Sequence, residues 1–327
     1  MTHPLRRPLQ LVTGKGGVGK SVMSAAIAWR LAREGRRTLL FQVHATDAHS
    51  RMLEVAPITP ELRQVHPYLY AVNTTPADAL REYGLLVLRF RTVYNAVFEN
   101  RLVKYLLRFI PSLAEVNMLG KAWYHVDQGR GHEPVFDHVI VDAPATGHGL
   151  AFVRVARVVA DGAVPGPLKT QAEDMARTIE DPELTAVHVV CLPELMPVEE
   201  TLELTASLRR LRAAPLGIAV LNRFGAHLFA PGDAEFLAQV TAQDGTRSVI
   251  ERARLRADRE SEEMRLAALL RQGLGMPLIE VSDRIEPVHD LASVAAIGDH
   301  LFTQAETLNS AAPAPGSHNT VASHDPA

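Results

Sequence analysis

Residues 11–26, LVTGKGGVGKSVMSAA, contain the pattern G-x-x-x-x-G-K-[ST], in which Gly14, Gly19, Lys20 and Ser21 fill the specified positions. Glycines let backbone N–H groups close around phosphate oxygens, the lysine adds positive charge beside the β and γ phosphates, and the hydroxyl can bind Mg²⁺. The pattern predicts a nucleotide phosphate site lined by Gly14, Gly16, Gly17, Val18, Gly19, Lys20, Ser21 and Val22.

A second stretch, HVIVDAPATGHGL at 138–150, supplies the acid that such a site needs. Asp142 follows an apolar run with the character of a buried strand, and a carboxylate there can hold a water bound to Mg²⁺. Ser21 and Asp142 are therefore the predicted metal-binding residues. Gly147, a few residues later, is placed to offer its backbone N–H to a γ-phosphate.

The elements that must position these residues alternate between strands and helices. The segments 9–14, 20–35 and 36–43 read as strand, helix and strand, a unit that requires a parallel sheet. Further buried strands are predicted at 138–143, 186–192, 216–222 and 277–281, with helical patterns between them. The predicted fold is α/β: a doubly wound, mostly parallel sheet flanked by helices.

About ninety residues separate the second strand from the strand at 138–143, far more than a crossover connection needs. We expect a helical insertion over about 77–130, divided near Pro111, and further helices over about 165–185, 197–213 and 249–273. Residues 303–327 are polar, rich in Ala and Pro and without period, and are predicted to be a disordered tail. Residues 1–302 are then expected to form a single domain.

Composition limits the classes of function. A formal net charge of −3 gives no general attraction to nucleic acid, and no nucleic-acid partner is expected. The one cysteine, Cys191, cannot form a multi-thiolate metal site within the chain, and its apolar surroundings predict a buried packing thiol. No secretory signal or apolar run long enough to span a bilayer is visible, so a cytoplasmic protein is expected, with membrane association only transiently and through a partner.

With GKGGVGKS and DAPATGH both present, the chain resembles the arsenical-pump ATPase family and its eukaryotic kin that deliver tail-anchored membrane proteins. The wider class carries a deviant Walker A motif, KGGxGK[ST]. In that class the first lysine, matching Lys15, reaches across a dimer interface to the nucleotide of the other subunit. The family's second switch reads DTAPTGH, which Asp142, Thr146, Gly147 and His148 match here.

The resemblance also implies a base-reading strand end at LNR, where Asn222 and Arg223 are the candidate nucleotide contacts. The family's first switch carries DPAHS, whose aspartate orients the attacking water. This chain instead has HATDAHS at 44–50, without the proline and shifted by one residue in register. Asp47 is the candidate water-orienting residue, and Lys15, Lys20 and Asp47 are the expected catalytic residues.

The leading expectation is a dimeric ATPase, either a homodimer or a heterodimer with a related subunit, that binds and hydrolyses Mg-ATP and handles a hydrophobic or membrane-protein client. The apolar residues of the insertion could form a groove for such a client, or they could simply pack against the core. Two alternatives stay open: an energiser of anion efflux of the arsenite type, and a nucleotide-binding regulatory subunit with little turnover.

Overall fold

The computed structural model describes residues 3–43, 46–75, 113–127, 135–162, 165–225, 227–230, 232–241, 246–282, 288 and 290–311. The described strands are β1 (Leu9–Gly14), β2 (Thr38–Val43), β3 (Arg63–His66), β4 (Leu69–Thr74), β5 (His138–Ala145), β6 (Thr185–Cys191), β7 (Leu216–Asn222) and β8 (Leu278–Val281). The described helices are α1 (Lys20–Arg33), α2 (His49–Met52), α3 (Leu113–Asp127), α4 (Thr146–Gly162), α5 (Pro167–Glu180), α6 (Leu195–Arg210), α7 (Asp233–Gln239), α8 (Arg247–Leu274) and α9 (Leu291–Ala311).

The strands form one sheet in the order β3-β4-β2-β5-β1-β6-β7-β8. Every neighbouring pair is parallel except β3 with β4, which is antiparallel. Strands β2 to β5 lie on one side of β1 and β6 to β8 on the other, and in such sheets ligands bind at the carboxyl ends of the strands where the order reverses. The predicted mostly parallel α/β fold is confirmed.

The sheet is buried on both faces, as a parallel sheet must be when helices cover it. Along β1, Leu9 and Leu11 face one apolar core, with α3, α4 and α5, while Val12 faces the other, with α1 and α9. Because both faces are covered, apolar residues occupy both sets of alternating positions in the central strands.

The last helix, α9, packs against α1, the helix that follows the phosphate-loop motif. Gly298 allows this approach, since a Cβ atom there would lie 2.6 Å from the carbonyl oxygen of Ala26. The carboxylate of Asp299 pairs with Arg30 and Arg33, each at 3.0 Å. Helix α1 is therefore held between the sheet and α9.

The helix α9 corrects the expected start of the disordered tail. Residues 303–311 are helical, because Leu301, Phe302 and Ala305 are buried against the core and carry the helix past the predicted boundary. Residues 312–327 lie outside the described residues.

Other expectations differ in detail. The strand expected over 36–43 begins at Thr38, and β3 and β4 were not expected at all. Most of the expected insertion, 76–112 and 128–134, lies outside the described residues, as does Pro111; its described part is α3. A helix lies at Pro167–Glu180, within the region 165–185.

A buried histidine on β6 forms hydrogen bonds with both neighbouring strands, β1 and β7. His188 on β6 accepts a hydrogen bond from the Ile218 amide at Nδ1, 3.1 Å, so its ring proton lies on Nε2 and donates to Gln10 Oε1 at 3.1 Å. Gln10 Nε2 in turn donates to the carbonyl oxygens of Leu5 and Arg7. Burial lowers the pKa of His188 to about 3, and the ring is neutral in the folded protein.

This network predicts a specific loss of stability in acid. The unfolded chain protonates His188 near its ordinary pKa of 6.5, whereas the folded chain does so only near 3. The contribution of His188 to the free energy of unfolding is therefore fully present above pH 6.5 and is lost progressively as the pH drops toward 3. Between pH 7.5 and pH 5, the free energy of unfolding should fall by about 2 kcal/mol more in the wild type than in His188→Gln, measured by urea denaturation. Equal falls in the two proteins would contradict this assignment.

Candidate functional site

The phosphate loop connects the end of β1 to the start of α1, and two of its glycines combine a positive φ with a close approach to a neighbouring strand. Gly14 has φ +148°, and a Cβ atom there would lie 2.2 Å from the carbonyl oxygen of Val190 on β6. Gly19, at the start of α1, has φ +102°, and its Cβ would lie 2.5 Å from the Asn222 amide nitrogen. The glycine pattern therefore reflects close packing of the loop against neighbouring strands.

The amino end of α1 lacks a side-chain cap and has no acidic residue in its first turn. The first N–H groups of a helix have no partner within it, and the positive end of the helix dipole favours an anion there. An anion is the expected partner for these groups.

Lys20 folds back over the loop, where its Nζ donates to the carbonyl oxygen of Lys15 at 2.9 Å. Burial lowers the pKa of Lys20, and the negative charge of Asp142 opposes this shift. The ammonium group is thus partly stripped of water and held beside the loop by a carbonyl that an anionic ligand could replace.

Ser21 and Asp142 lie together, as the sequence predicts. The Ser21 hydroxyl donates to Asp142 Oδ2 at 2.6 Å, and the pairing of β1 with β5, with Val12 opposite Asp142, sets this contact. Asp142 is only 5% exposed, and its second oxygen, Oδ1, is buried without a hydrogen bond. A buried carboxylate oxygen without a donor is the kind of group that a metal-bound water would satisfy.

Asp47 lies in the loop after β2, where both oxygens of its carboxylate accept hydrogen bonds from backbone amides. Oδ1 accepts from the Ser50 amide at 3.1 Å and Oδ2 from the Ile58 amide at 2.8 Å. Burial alone would raise the pKa of Asp47, but these hydrogen bonds outweigh it and the pKa lies below its ordinary value. The carboxylate is therefore ionised and engaged with the backbone; its water-orienting role stays a prediction.

Asn222 supports the phosphate loop from β7. Its Nδ2 donates to the Val18 carbonyl at 2.8 Å, and its Oδ1 accepts from the Arg223 amide at 3.0 Å. Arg223 is exposed at the strand end, with φ +56°. The proposed base contact at these two residues stays a prediction, while the support that Asn222 gives to the loop is a direct contact.

Lys15, the additional lysine of the motif, forms an ion pair within the same chain. Its Nζ lies 2.9 Å from Glu200 Oε1 on α6, and both side chains are about one-third exposed, at 29% and 35%. Next to this pair is a pocket of about 320 Å³, with Leu195 and Met196 on its rim, 50% and 60% exposed. The described surface beside Lys15 therefore combines charge with exposed apolar side chains.

The remaining predicted residues have simpler positions. Gly16 and Gly17 lie in the loop with open space around them, and Val22 is half-buried against the core on the α1 side of the sheet. Gly147 lies in the first turn of α4, directly after β5. Cys191 is buried, and burial raises the pKa of its thiol to about 11, which confirms a packing role.

Sequence reasoning missed two residues of this site, His49 and Glu200. His49 is fully buried, and its Nε2 lies 3.6 Å from Asp142 Oδ2. Its place in DAHS, two residues after Asp47, is the signal that could have drawn attention to it. Glu200 lies 185 positions after Lys15, and nothing in its local sequence marks it as the partner of that lysine.

Comparison with known proteins agrees with this geometry. Residues 9–163 match the model of the family described as anion-transporting ATPase. ATPase BagA of Mycobacterium tuberculosis is 33% identical over 227 residues, which cover 67% of this chain and 66% of BagA. The arsenical pump-driving ATPases of Escherichia coli and Acidiphilium multivorum are 31% and 30% identical, over 65% of this chain and 34% of their own lengths.

The chain belongs to the anion-transporting ATPase family. The matched region spans just under two thirds of BagA and about one third of the pump-driving ATPases. Residues 9–163, which match the family model, contain the phosphate loop, Asp142 and the strands that bring them together. Within the described part of the chain, no helix is both long and apolar enough to cross a membrane.

The loop packing predicts a contrast between two glycines. Gly14→Ala should lower the free energy of unfolding by about 2 kcal/mol or more, because the new Cβ meets a main-chain oxygen and the φ angle is unfavourable. Gly16→Ala, which meets nothing within 4 Å, should change it by less than about 0.5 kcal/mol. Urea denaturation of both variants measures the difference, and similar values for the two would refute the packing argument.

Proposed function

We propose that this chain is a switch ATPase that binds and hydrolyses Mg-ATP and works as a dimer. The observation that carries the proposal is the meeting of Lys20, Ser21 and Asp142 at the carboxyl ends of the central strands. A lysine, a hydroxyl and a buried carboxylate around an uncapped helix terminus suit a triphosphate with its metal ion. The family membership supports the same activity.

The residues present fit Mg²⁺ at one place. Ser21 would offer its hydroxyl oxygen directly, and Asp142 would bind a metal-held water through the buried Oδ1 that lacks a hydrogen bond. When bound, the ion neutralises phosphate charge and helps the terminal phosphate to accept a nucleophile.

The chain's own groups would bind the phosphates of the nucleotide. The loop amides from Gly16 to Ser21 would bind the phosphates, and Lys20 would exchange the Lys15 carbonyl for phosphate oxygens. Because Asn222 holds the Val18 carbonyl, part of the loop backbone is fixed by the chain itself. This pre-organisation reduces the entropy lost on binding.

The low-turnover alternative has a specific observation in its favour. Both oxygens of Asp47 already accept backbone amides, so the residue proposed to orient water also fastens its own loop. A carboxylate can accept further hydrogen bonds, and hydrolysis therefore requires Asp47 to perform both tasks. We propose slow hydrolysis rather than none.

The efflux alternative receives its support from relatives named arsenical pump-driving ATPase. Capture of a soft metalloid requires several thiolates, and the one cysteine of this chain is buried with a raised pKa. We therefore favour a hydrophobic or membrane-protein client, handled by the insertion at about 77–130, over a metalloid.

Substitution of Lys20 tests nucleotide binding and turnover together. Lys20→Ala should weaken ATP binding about tenfold or more, because charge-assisted hydrogen bonds contribute about 1.5–3 kcal/mol, and should abolish phosphate release. Titration with a fluorescent ATP analogue and a steady-state phosphate assay measure the two effects. Lys169→Ala on α5, outside the site, serves as the matched control and should behave as the wild type.

The same assay separates the candidate functions. Wild-type phosphate release at saturating Mg-ATP supports the switch ATPase, whereas binding without release favours the regulatory subunit. Stimulation of release by arsenite would overturn our preference for a hydrophobic client.

The dimer is proposed from Lys15, and the structure adds a condition to it. For Lys15 of one subunit to reach the nucleotide of the other, it must first leave Glu200 of its own chain. The half-exposed Leu195 and Met196 beside it offer apolar surface for a subunit contact. The ion pair would then compete with dimer formation.

Paired substitutions test this competition. Lys15→Ala should prevent ATP-dependent dimerisation, whereas Glu200→Gln should lower the dimer dissociation constant by about two- to fivefold, since exposed ion pairs contribute up to about 1 kcal/mol. Sedimentation with a non-hydrolysable ATP analogue measures both. Unchanged dimerisation in Lys15→Ala would exclude shared nucleotide sites.

A further inference from the structure

His49 is a fully buried histidine whose environment is incomplete. It is 0% exposed, and neither Nδ1 nor Nε2 makes a hydrogen bond of good geometry; the ring has only a weak interaction with the Ser21 backbone. Leaving a buried polar group without a partner costs about 1–3 kcal/mol. Its nearest ionisable neighbour is the Asp142 carboxylate, whose Oδ2 lies 3.6 Å from Nε2, just beyond hydrogen-bonding distance.

The backbone around His49 is fixed by several hydrogen bonds. Asp47 binds the amides of Ser50 and Ile58, and Gln42 Nε2 on β2 donates to the Thr46 carbonyl at 3.1 Å. The four-residue helix α2 is too short to be stable alone, so these bonds, together with packing, specify its place. The position of the imidazole is therefore built into the loop.

Asp142, the nearest ionisable neighbour of His49, lies among buried acceptor atoms that lack donors. Asp142 and Gln42 lie opposite each other in the pairing of β2 with β5, so their side chains leave the same face of the sheet. Asp142 Oδ1 and Gln42 Oε1 are both buried without hydrogen bonds, whereas Asp142 Oδ2 accepts from Ser21. Mg²⁺ in proteins usually keeps several waters, which donate to acceptors of this kind.

We propose that His49 is a positioning residue for the magnesium site, donating from Nε2 to Asp142 Oδ2 when Mg-nucleotide is bound. With Ser21 and His49 both on Oδ2, Oδ1 is left to accept from a metal-held water. A shift of less than 1 Å brings the 3.6 Å separation into hydrogen-bonding range. The inference rests on the proposed Mg-nucleotide site and assigns a role in it to a residue that touches neither metal nor nucleotide.

The role also explains the position of Asp47 in the sequence. By accepting from the Ser50 amide within α2 and from the Ile58 amide beyond its end, Asp47 fixes the position of His49 relative to Asp142. The loop that carries Asp47 is thereby connected to Asp142 through the imidazole of His49. A change in the position of that loop would then change the position of the Asp142 carboxylate.

The test measures how nucleotide affinity depends on free Mg²⁺ in the full chain, with a fluorescent ADP analogue titrated from excess chelator to saturating Mg²⁺. His49→Leu should raise the Mg²⁺ concentration of half-effect about tenfold, the scale seen when second-layer partners of metal ligands are removed. Affinity in chelator should not change. His49→Gln, which keeps a neutral donor near the place of Nε2, should restore most of the loss.

A matched control separates positioning from packing. His138, a buried histidine at the amino end of β5, forms a hydrogen bond between its Nδ1 and the Arg7 carbonyl at 3.0 Å, so His138→Leu should reduce thermal stability without moving the Mg²⁺ midpoint. If His49→Leu does not fold, histidine-ring NMR of the wild type, with the signal assigned by its loss in His49→Gln, should show the His49 Nε2–H resonance moving when Mg²⁺ is added to the nucleotide complex.

Each outcome decides between the two proposals. An unchanged midpoint in His49→Leu, equal shifts in the Leu and Gln variants, or a static ring resonance would overturn the role of His49 while leaving the ATPase proposal intact. A wild type whose nucleotide affinity does not respond to Mg²⁺ would overturn both.

Discussion

The hydrogen bond between Ser21 and Asp142 is the contact on which the site depends. It exists because β1 and β5 are adjacent and parallel, so that the loop after one strand and the acid on the other meet at the same edge. The apolar cores on the two faces of the sheet fix that register, since a slip by one residue would turn core side chains outward. Burial in the strands thus determines the chemistry at their ends.

The second theme is the satisfaction of buried polar groups near that bond. Asp142 is almost completely buried, and a carboxylate in that position needs donors. Ser21 supplies one and His49 lies close by, while Asn222 and Asp47 stabilise the loops that carry them. The site is therefore supported by residues from several separate segments, each fixed by backbone hydrogen bonds.

The central strands and the phosphate loop could be predicted because their signals are local: continuous apolar runs and a fixed spacing of Gly, Lys and Ser. The edge strand β3, with sequence RQVH, carries no such run and was missed. Glu200 depends on a pairing with a residue 185 positions away, so no local pattern reveals it, and the contact of His49 with Asp142 is equally distant, although DAHS marks its position. The helical residues 303–311 were missed because their sequence is mostly polar. They continue a helix that is anchored by buried apolar residues, notably Phe302 and Ala305.

The packing of α9 on α1 has a mechanical consequence. Gly298 lies against Ala26, and Asp299 is bound to two arginines of α1. The helix that begins at the phosphate loop is therefore packed between α9 and the sheet. Under the proposed function this helix would keep its place, and any rearrangement on nucleotide binding would fall on the parts around it: the segment that carries His49, the ion pair of Lys15, and the start of α4. Helix α9, far from the site in sequence, thereby restrains the helix that carries Lys20 and Ser21.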